Sequence, residues 1–262
     1  MRPLTAGNGR VKEARKISRR SVRAERRLFL VDGPKAVEGA LERPERVVDV
    51  FVTPSARELY GPVLAGVDAT LVDDRALASL SGAVNPAGVV AVCRHVDVAL
   101  DDITDAIGSI VICADVRDPG NAGTMIRTAD AAGADGFVYA GDSVDPYNPK
   151  AVRASVGSLF HVPFALERDP AVAVRAAQQA GFVVLAADGG GEVDLFDAGP
   201  LLQGRIAWLF GNEAWGLPDE LAALADHRVA IPILGRAESL NLATAAAVCL
   251  YESARAAARN AP

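Results

Sequence analysis

The chain has 262 residues, 50% of them hydrophobic and 23% charged, the composition of an ordinary soluble globular protein with room for two modest domains. No apolar run approaches the ~20 residues that a membrane-spanning helix needs, and the arginine-rich start lacks the apolar core of a signal peptide. A cytoplasmic protein with no membrane attachment is therefore expected.

The formal net charge of −6 is unevenly spread: residues 1–30 hold ten Arg and Lys against Glu13 and Glu25, a net of +8 that leaves −14 for the rest. Such asymmetry marks a basic arm for a polyphosphate attached to a domain with other duties. Cys93, Cys113 and Cys249 are far apart in apolar surroundings, and there are only three histidines. Neither a metal site nor a disulfide framework is suggested, and buried reduced thiols are expected.

In chain order, residues 1–9 are rich in Gly, Pro and Asn and are expected to be disordered. Residues 10–27 read as a basic helix whose Val11, Ala14, Ile17 and Val22 are too sparse for a strong apolar face, so it should pack weakly. Its Arg19, Arg20, Arg23 and Arg26 are candidate phosphate contacts, the alternative being a solvated charged terminus. A strand from Leu28 breaks at Asp32-Gly33-Pro34 into a helix, and strands at 47–53, 69–72 and 88–94 alternate with helices at 55–59 and 74–80. This is a compact α/β/α layer, which with the arm makes a first domain over residues 1–98. Residues 99–107 are acidic, lack a long apolar face, and read as a linker.

The second domain, residues 108–262, opens with a buried strand at 109–114 that feeds a loop at 115–121. A helix over 123–132 follows, with Met125, Ile126, Ala129 and Ala132 inward, which leaves Arg127 on another face. Arg127 and the loop residue Asn121 can then point into a cleft above the strand ends, where an arginine suits a phosphate. The alternative is a surface residue paired with Asp130, a contact worth only ~0.3–0.5 kcal/mol. After a strand at 136–142, Asn148 caps a helix with Pro149 at its first position, and Lys150 and Arg153 on that helix are phosphate candidates or a solvated face. A helix at 171–180 and a strand at 182–187 lead to Gly189-Gly190-Gly191, which lacks the GxGxxG of a dinucleotide fold.

The last stretch places polar residues where a buried segment should not have them. A strand at 206–210 breaks at Gly211 into Asn212, Glu213, Ala214, Trp215 and Gly216. A second strand at 228–231 meets Pro232, which cannot donate a ladder hydrogen bond. Ser239 can then cap an Ala-rich helix over 240–258. Two strand-end loops thus flank one helix start, which is where open α/β sheets hold ligands.

Three segments here, DVRDPGNAGTMIRTADAAG at 115–133, GNEAWGLP at 211–218, and IPILG with SLNLATAAAV at 231–248, resemble the three motifs of the SpoU branch of the knotted (SPOUT) RNA methyltransferases. The first looks closest to the thiostrepton-resistance-like members. The resemblance implies a carboxyl-terminal parallel α/β domain tied in a trefoil knot, and a smaller α/β/α domain similar to an RNA-binding ribosomal protein. It also implies S-adenosylmethionine as cofactor, methyl transfer to a ribose 2′-hydroxyl, ribosomal RNA favoured over transfer RNA as partner, and a homodimer. Carried onto matching positions, Asn121, Arg127, Glu213, Ser239 and Asn241 would be catalytic. Leu185, Gly211, Ile231 and Leu240 would lie against the cofactor.

The chemistry needs little covalent help, because a sulfonium already activates the methyl group; the task is to align a nucleophile behind it. A ribose hydroxyl needs a base or a strong polariser, and these motifs offer no histidine. A guanidinium stays protonated, so Arg127 would grip the phosphate and stabilise a developing alkoxide. An RNA-binding assembly factor without chemistry would show decayed motif residues, and a Rossmann-type methyltransferase an early glycine-rich turn. Neither pattern is present.

Overall fold

A computed structural model describes residues 2–259. Met1 and residues 260–262, the ends of the tract expected to be disordered and of the second domain, lie outside the described residues. In chain order the elements are α1 (Gly9–Lys16), α2 (Arg20–Arg26), β1 (Leu28–Asp32), α3 (Pro34–Leu41), β2 (Val47–Val52), α4 (Pro54–Leu59), β3 (Ala69–Leu71), α5 (Asp74–Leu80) and β4 (Val89–Arg94). Next come α6 (Leu100–Thr104), β5 (Ser109–Ala114), α7 (Pro119–Ala131), β6 (Gly136–Ala140), α8 (Pro149–Ser155), α9 (Ser158–His161), β7 (Phe164–Glu167) and α10 (Pro170–Gln179). The chain ends through β8 (Val183–Ala187), β9 (Val193–Asp194), β10 (Ile206–Phe210), α11 (Asp219–Ala222), β11 (His227–Ala230) and α12 (Leu242–Arg259).

Two compact units result, and the first is discontinuous: it joins the residues up to Val96 with Asp145–His161. Its sheet has the order β1-β4-β2-β3, with β4 antiparallel to both β1 and β2, and β3 parallel to β2. Leu30, Phe51, Val90 and Val92 point to one face, where α1 and α5 cover them. The basic start is therefore not the weakly packed arm its composition suggests. Val11, Ala14 and Ile17 recur at a spacing of three, and all are buried in this core. Residues 2–9 are also placed: the Leu4 N–H donates to the Leu71 carbonyl at 2.8 Å, extending the sheet edge.

Segment 145–161 was expected within the second domain, but it packs in the first unit. The Phe29 ring lies 4.6 Å from Tyr147 and is stacked 5.8 Å from Phe160, while the Val96 N–H donates to the Tyr147 hydroxyl at 2.8 Å. Gly39 of α3 faces Gly157 so closely that a Cβ would sit 3.1 Å from its backbone.

The second unit holds a seven-stranded sheet in the order β7-β6-β5-β10-β8-β11-β9, every pairing parallel. Its central strands, such as Ile110 to Cys113 and the whole of β10, are buried on both faces, as continuous apolar runs require. Residues 99–107 are not a free linker. Ile103 of α6 is fully buried in the core of this unit, and the Val98 N–H donates to the Phe164 carbonyl at 2.9 Å. The acidic residues hid this, although Leu100 and Ile103 stand one helical turn apart. On the other side of the sheet, α12 locks to β10 through a 2.9 Å bond from the Trp208 indole N–H to the Ser253 hydroxyl. Because all strands run the same way, the ends of β5, β10, β8 and β11 open on one edge.

Candidate active site

That edge is where the three segments meet. Helix α7 starts earlier than its apolar pattern suggests: Asp118 accepts the Asn121 N–H at 2.8 Å as N-cap, and Pro119 occupies the first turn. Asn121 thus belongs to the helix, not to the loop. Its side-chain amide donates to Glu213 Oε1 at 3.2 Å, and its Oδ1 accepts from the Asn241 amide at 3.1 Å. Asn241 Oδ1 in turn accepts the N–H groups of Ala243 and Thr244, at 3.0 and 3.3 Å. Asn241, not Ser239, is the cap of α12, so one line of amides ties the first turn of α7 to Glu213 and to the start of the last helix.

Glu213 is the anchor of this line. Its carboxylate also accepts the backbone N–H groups of Arg117 at 3.1 Å and Asp118 at 2.9 Å. Partial burial pushes the pKa up, but the two backbone donors and the Asn121 amide outweigh it and leave the carboxyl below its ordinary value. The neighbouring Asn212 spans the two loops, donating to the Asp115 carbonyl at 2.7 Å while its Oδ1 accepts from Ala214 at 2.8 Å. Asp115 holds a left-handed backbone, φ 57°, and its carboxylate accepts the Asp142 N–H.

A pocket beside this network is lined by Ala187, Asp188, Ile231, Glu238, Ser239 and Leu240, among others. Ile231, Ser239 and Leu240 thus share one cavity. Leu185 does not reach it, because it is fully buried in mid-strand between β10 and β11; the lining from that strand comes from its end, Ala187 to Gly189. Gly211 lies outside the lining, at the end of β10, where a Cβ would stand 2.3 Å from the Gly216 carbonyl group. Arg127 is exposed on α7 and has no hydrogen-bond or ion-pair partner among the described residues. The alternative pairing with Asp130 is not made.

Sequence reasoning passed over Asp118, Asn212 and Asp188. Asp118-Pro119 carried a readable signal, the same cap-then-proline pattern as Asn148-Pro149. Asn212 and Asp188 carried only the turn bonds to Ala214 and Gly190, because the partners that tie them to the site, Asp115 and Arg228, are distant in sequence.

In the first unit, Arg19 and Arg20 are exposed and make no ion pair among the described residues. Arg23 must be corrected as a phosphate contact. It is buried, bonds to Asp145 through two nitrogens at 3.0 and 2.7 Å, and donates to the Ser18 carbonyl. Arg153 is likewise turned inward, 3.5 Å from the buried Asp32 carboxylate, because a charge held in the core needs its counterion. Arg26 shares Glu13 with Lys16, and Lys150 is exposed on the first turn of α8.

The three cysteines are buried and free; burial pushes the Cys93 and Cys249 thiols up to about 12 and Cys113 well above its ordinary value. Among the described residues, no three His, Cys, Asp or Glu side chains are grouped as a metal ion would require, and no helix is long and apolar enough to cross a membrane.

A parallel sheet whose strand ends gather a polar amide network beside a mixed apolar and acidic pocket is the arrangement of a ligand-binding α/β enzyme domain. Residues 108–251 match the SpoU rRNA Methylase family, and residues 8–91 match the MRM3-like substrate binding domain. The chain belongs to the SpoU family.

Among its relatives, the 23S rRNA (guanosine(2553)-2′-O)-methyltransferase RlmP of Bacillus subtilis is 32% identical over 251 residues, 94% of this chain and 96% of that protein. The AdoMet-bound rRNA methyltransferase of Sinorhizobium meliloti is similar in structure with a TM-score of 0.82, at 33% identity and 97% coverage of both chains. AviRb of Streptomyces viridochromogenes, in complex with the cofactor AdoMet, gives a TM-score of 0.81 at 32% identity, covering 95% of this chain and 97% of that one.

Proposed function

We propose that the chain is an S-adenosylmethionine-dependent methyltransferase acting on a ribose 2′-hydroxyl of RNA, with 23S ribosomal RNA as substrate in preference to transfer RNA. The observation that carries this reading is the hydrogen-bonded line Glu213–Asn121–Asn241, which brings the three motifs together beside one pocket. Family membership and the named activities of RlmP and the two AdoMet-bound relatives support it. A chain kept only for assembly would be free to lose these residues, and each of them is present.

The pocket suits the cofactor. Ile231, Ile233, Leu240 and Val229 offer an apolar bed for an adenine ring, while Asp188 and Glu238 offer acceptors for ribose hydroxyls and negative charge for a sulfonium. When bound, the cofactor supplies a methyl group already activated by its positive sulfur. The residues of this chain then orient the acceptor. Asn121 and Asn241, each with its amide committed to a neighbour, are held rigid to fix the ribose, and Glu213 holds the 117–118 loop in place. Arg127 polarises the hydroxyl and grips the adjoining phosphate, and Ser239 orders the cofactor loop. Arg19, Arg20, Arg26 and Lys150 meet RNA phosphates.

The same reading includes a cytoplasmic homodimer and a trefoil knot at the carboxyl end. The position of β10, inserted between β5 and β8 instead of at a sheet edge, supports the knot. The small side chains of α12 support close helix contact. The test is a map of 2′-O-methyl sites in ribosomal and transfer RNA from cells with and without the gene, together with calorimetry of S-adenosylmethionine on purified protein. Loss of one ribosomal mark and saturable uptake of the donor are expected; unchanged marks and no uptake overturn the proposal.

A further inference from the structure

We infer that Trp215 and Arg117 form a stacking platform for an RNA base next to the ribose that receives the methyl group; this rests on the reading of the site just given. The chain has two tryptophans, and they are placed oppositely: Trp208 is fully buried, whereas Trp215 is 59% exposed. A large ring left on the surface leaves apolar area in water that a partner can cover.

The ring is also presented rigidly. Asn212 and Gly216 exchange both backbone hydrogen bonds, at 2.9 and 3.0 Å, and the Asn212 side chain accepts from Ala214 inside the turn. Gly216 adopts φ 70°, and the backbone of the turn presses so closely on Gly211 that no side chain fits there. Trp215 stands at the tip of this closed turn, so a base that lands on it orders little that is not already ordered.

The platform carries a cation and is tied to the site. The Arg117 guanidinium lies 5.8 Å from the centre of the Trp215 ring, and its other partner is Asp142 at 3.4 Å. That pair is solvent-exposed on both sides, with 55% and 86% of the side chains accessible, so it holds Arg117 only weakly. The backbone N–H of Arg117 is bound by the Glu213 carboxylate, two residues from Trp215, and the same carboxylate binds Asn121. An exposed indole beside a guanidinium is the chemistry that takes single-stranded nucleic acid: the base stacks on the ring and the cation meets its phosphate or stacks in turn. A second copy of this chain needs the apolar ring alone; the adjoining cation and the link through Glu213 favour a base.

The experiment uses the full chain and two ten-nucleotide single-stranded RNAs, one all adenosine and one all uridine, with intrinsic tryptophan fluorescence as readout. Trp208 is sealed in the core, so a change reports Trp215. Saturable quenching by both RNAs is expected, stronger with adenosine. Trp215→Ala should abolish it and weaken RNA binding about tenfold, the loss of one base stack, while donor affinity by calorimetry stays the same. Trp215→Tyr should restore most of the affinity.

Unchanged RNA affinity in Trp215→Ala overturns the platform, and so does a shift of that variant from dimer to monomer in sedimentation, since the ring would then be covering a second copy. If the wild type takes up donor and methylates ribosomal RNA and Trp215→Ala does so equally well, the platform alone falls. If the wild type does neither, the functional reading falls first and takes the platform with it.

Discussion

The side-chain amide of Asn121 reaches the Glu213 carboxylate at 3.2 Å across 92 positions of sequence, and its oxygen takes a second bond from Asn241. One residue thus couples the first turn of α7 to the loop after β10 and to the cap of α12. Alignment of a nucleophile depends on such couplings, because a displacement of about 1 Å can cost 10²-fold in rate.

The Glu213 carboxyl sits below its ordinary value of 4.5 because the donors around it outweigh partial burial. A carboxyl lowered on folding contributes stability that is complete above the unfolded value and lost as pH falls through the folded one. The gap in urea midpoint between wild type and Glu213→Gln should therefore be widest near neutral pH and close as pH drops below about 4.5. A gap that does not vary with pH would show that the charge of Glu213 does not hold the 117–118 loop.

Arg127→Ala should lower methyl transfer by at least about 10²-fold, the usual effect of removing one charged stabiliser, and leave donor affinity nearly intact. Arg127→Lys should recover little, because a point charge cannot reproduce the planar fork. Single-turnover transfer and calorimetry check both, and an active alanine variant removes Arg127 from the mechanism.

The arginines near the start should separate into two classes. Arg23→Ala leaves Asp145 part-buried without its counterion and should cost about 3 kcal/mol of stability, with little change in the salt dependence of RNA binding. Arg19→Ala with Arg20→Ala should do the reverse, leaving the melting point unchanged and flattening the log-log salt slope by about 1.5. Chemical denaturation and filter binding at graded salt decide between them.

Gly211→Ala places a methyl group 2.3 Å from the Gly216 carbonyl carbon, with only backbone to yield. A loss of about 1–3 kcal/mol is expected, with weaker donor binding as the 211–216 turn shifts. A variant that melts with the wild type and binds donor equally well would mean that this turn gives way freely.

Much of the fold was legible in sequence because the buried strands of the second unit are uninterrupted apolar runs and the helix starts carry Asn or Asp before proline. The site was legible to the extent that its polar residues cluster at strand ends. Asn121, Glu213 and Asn241 meet as their motifs imply, and Ile231, Ser239 and Leu240 share a pocket. What was hidden depended on distant partners. Arg23 reads as one more surface cation until Asp145 is brought beside it, and Ile103 as a lone apolar residue among acids until the core of the second unit closes over it. Leu185 is a mid-strand residue in a covered sheet, with neighbours on every side, and only the strand end at Ala187 to Gly189 opens on the pocket.

Phe29 packs its ring against Tyr147 and Phe160, which the ribosome delivers long after Val96. At about 5–20 residues per second, the 65 residues from Asp97 to His161, the end of the segment that carries both rings, take roughly 3 to 13 seconds to synthesise. An amino-terminal sheet that formed during that interval would lack Tyr147 and Phe160 against Phe29. The birth of this protein is therefore not a simple procession from one end to the other: its first unit is complete only once a piece of chain made in the middle of the second has been added.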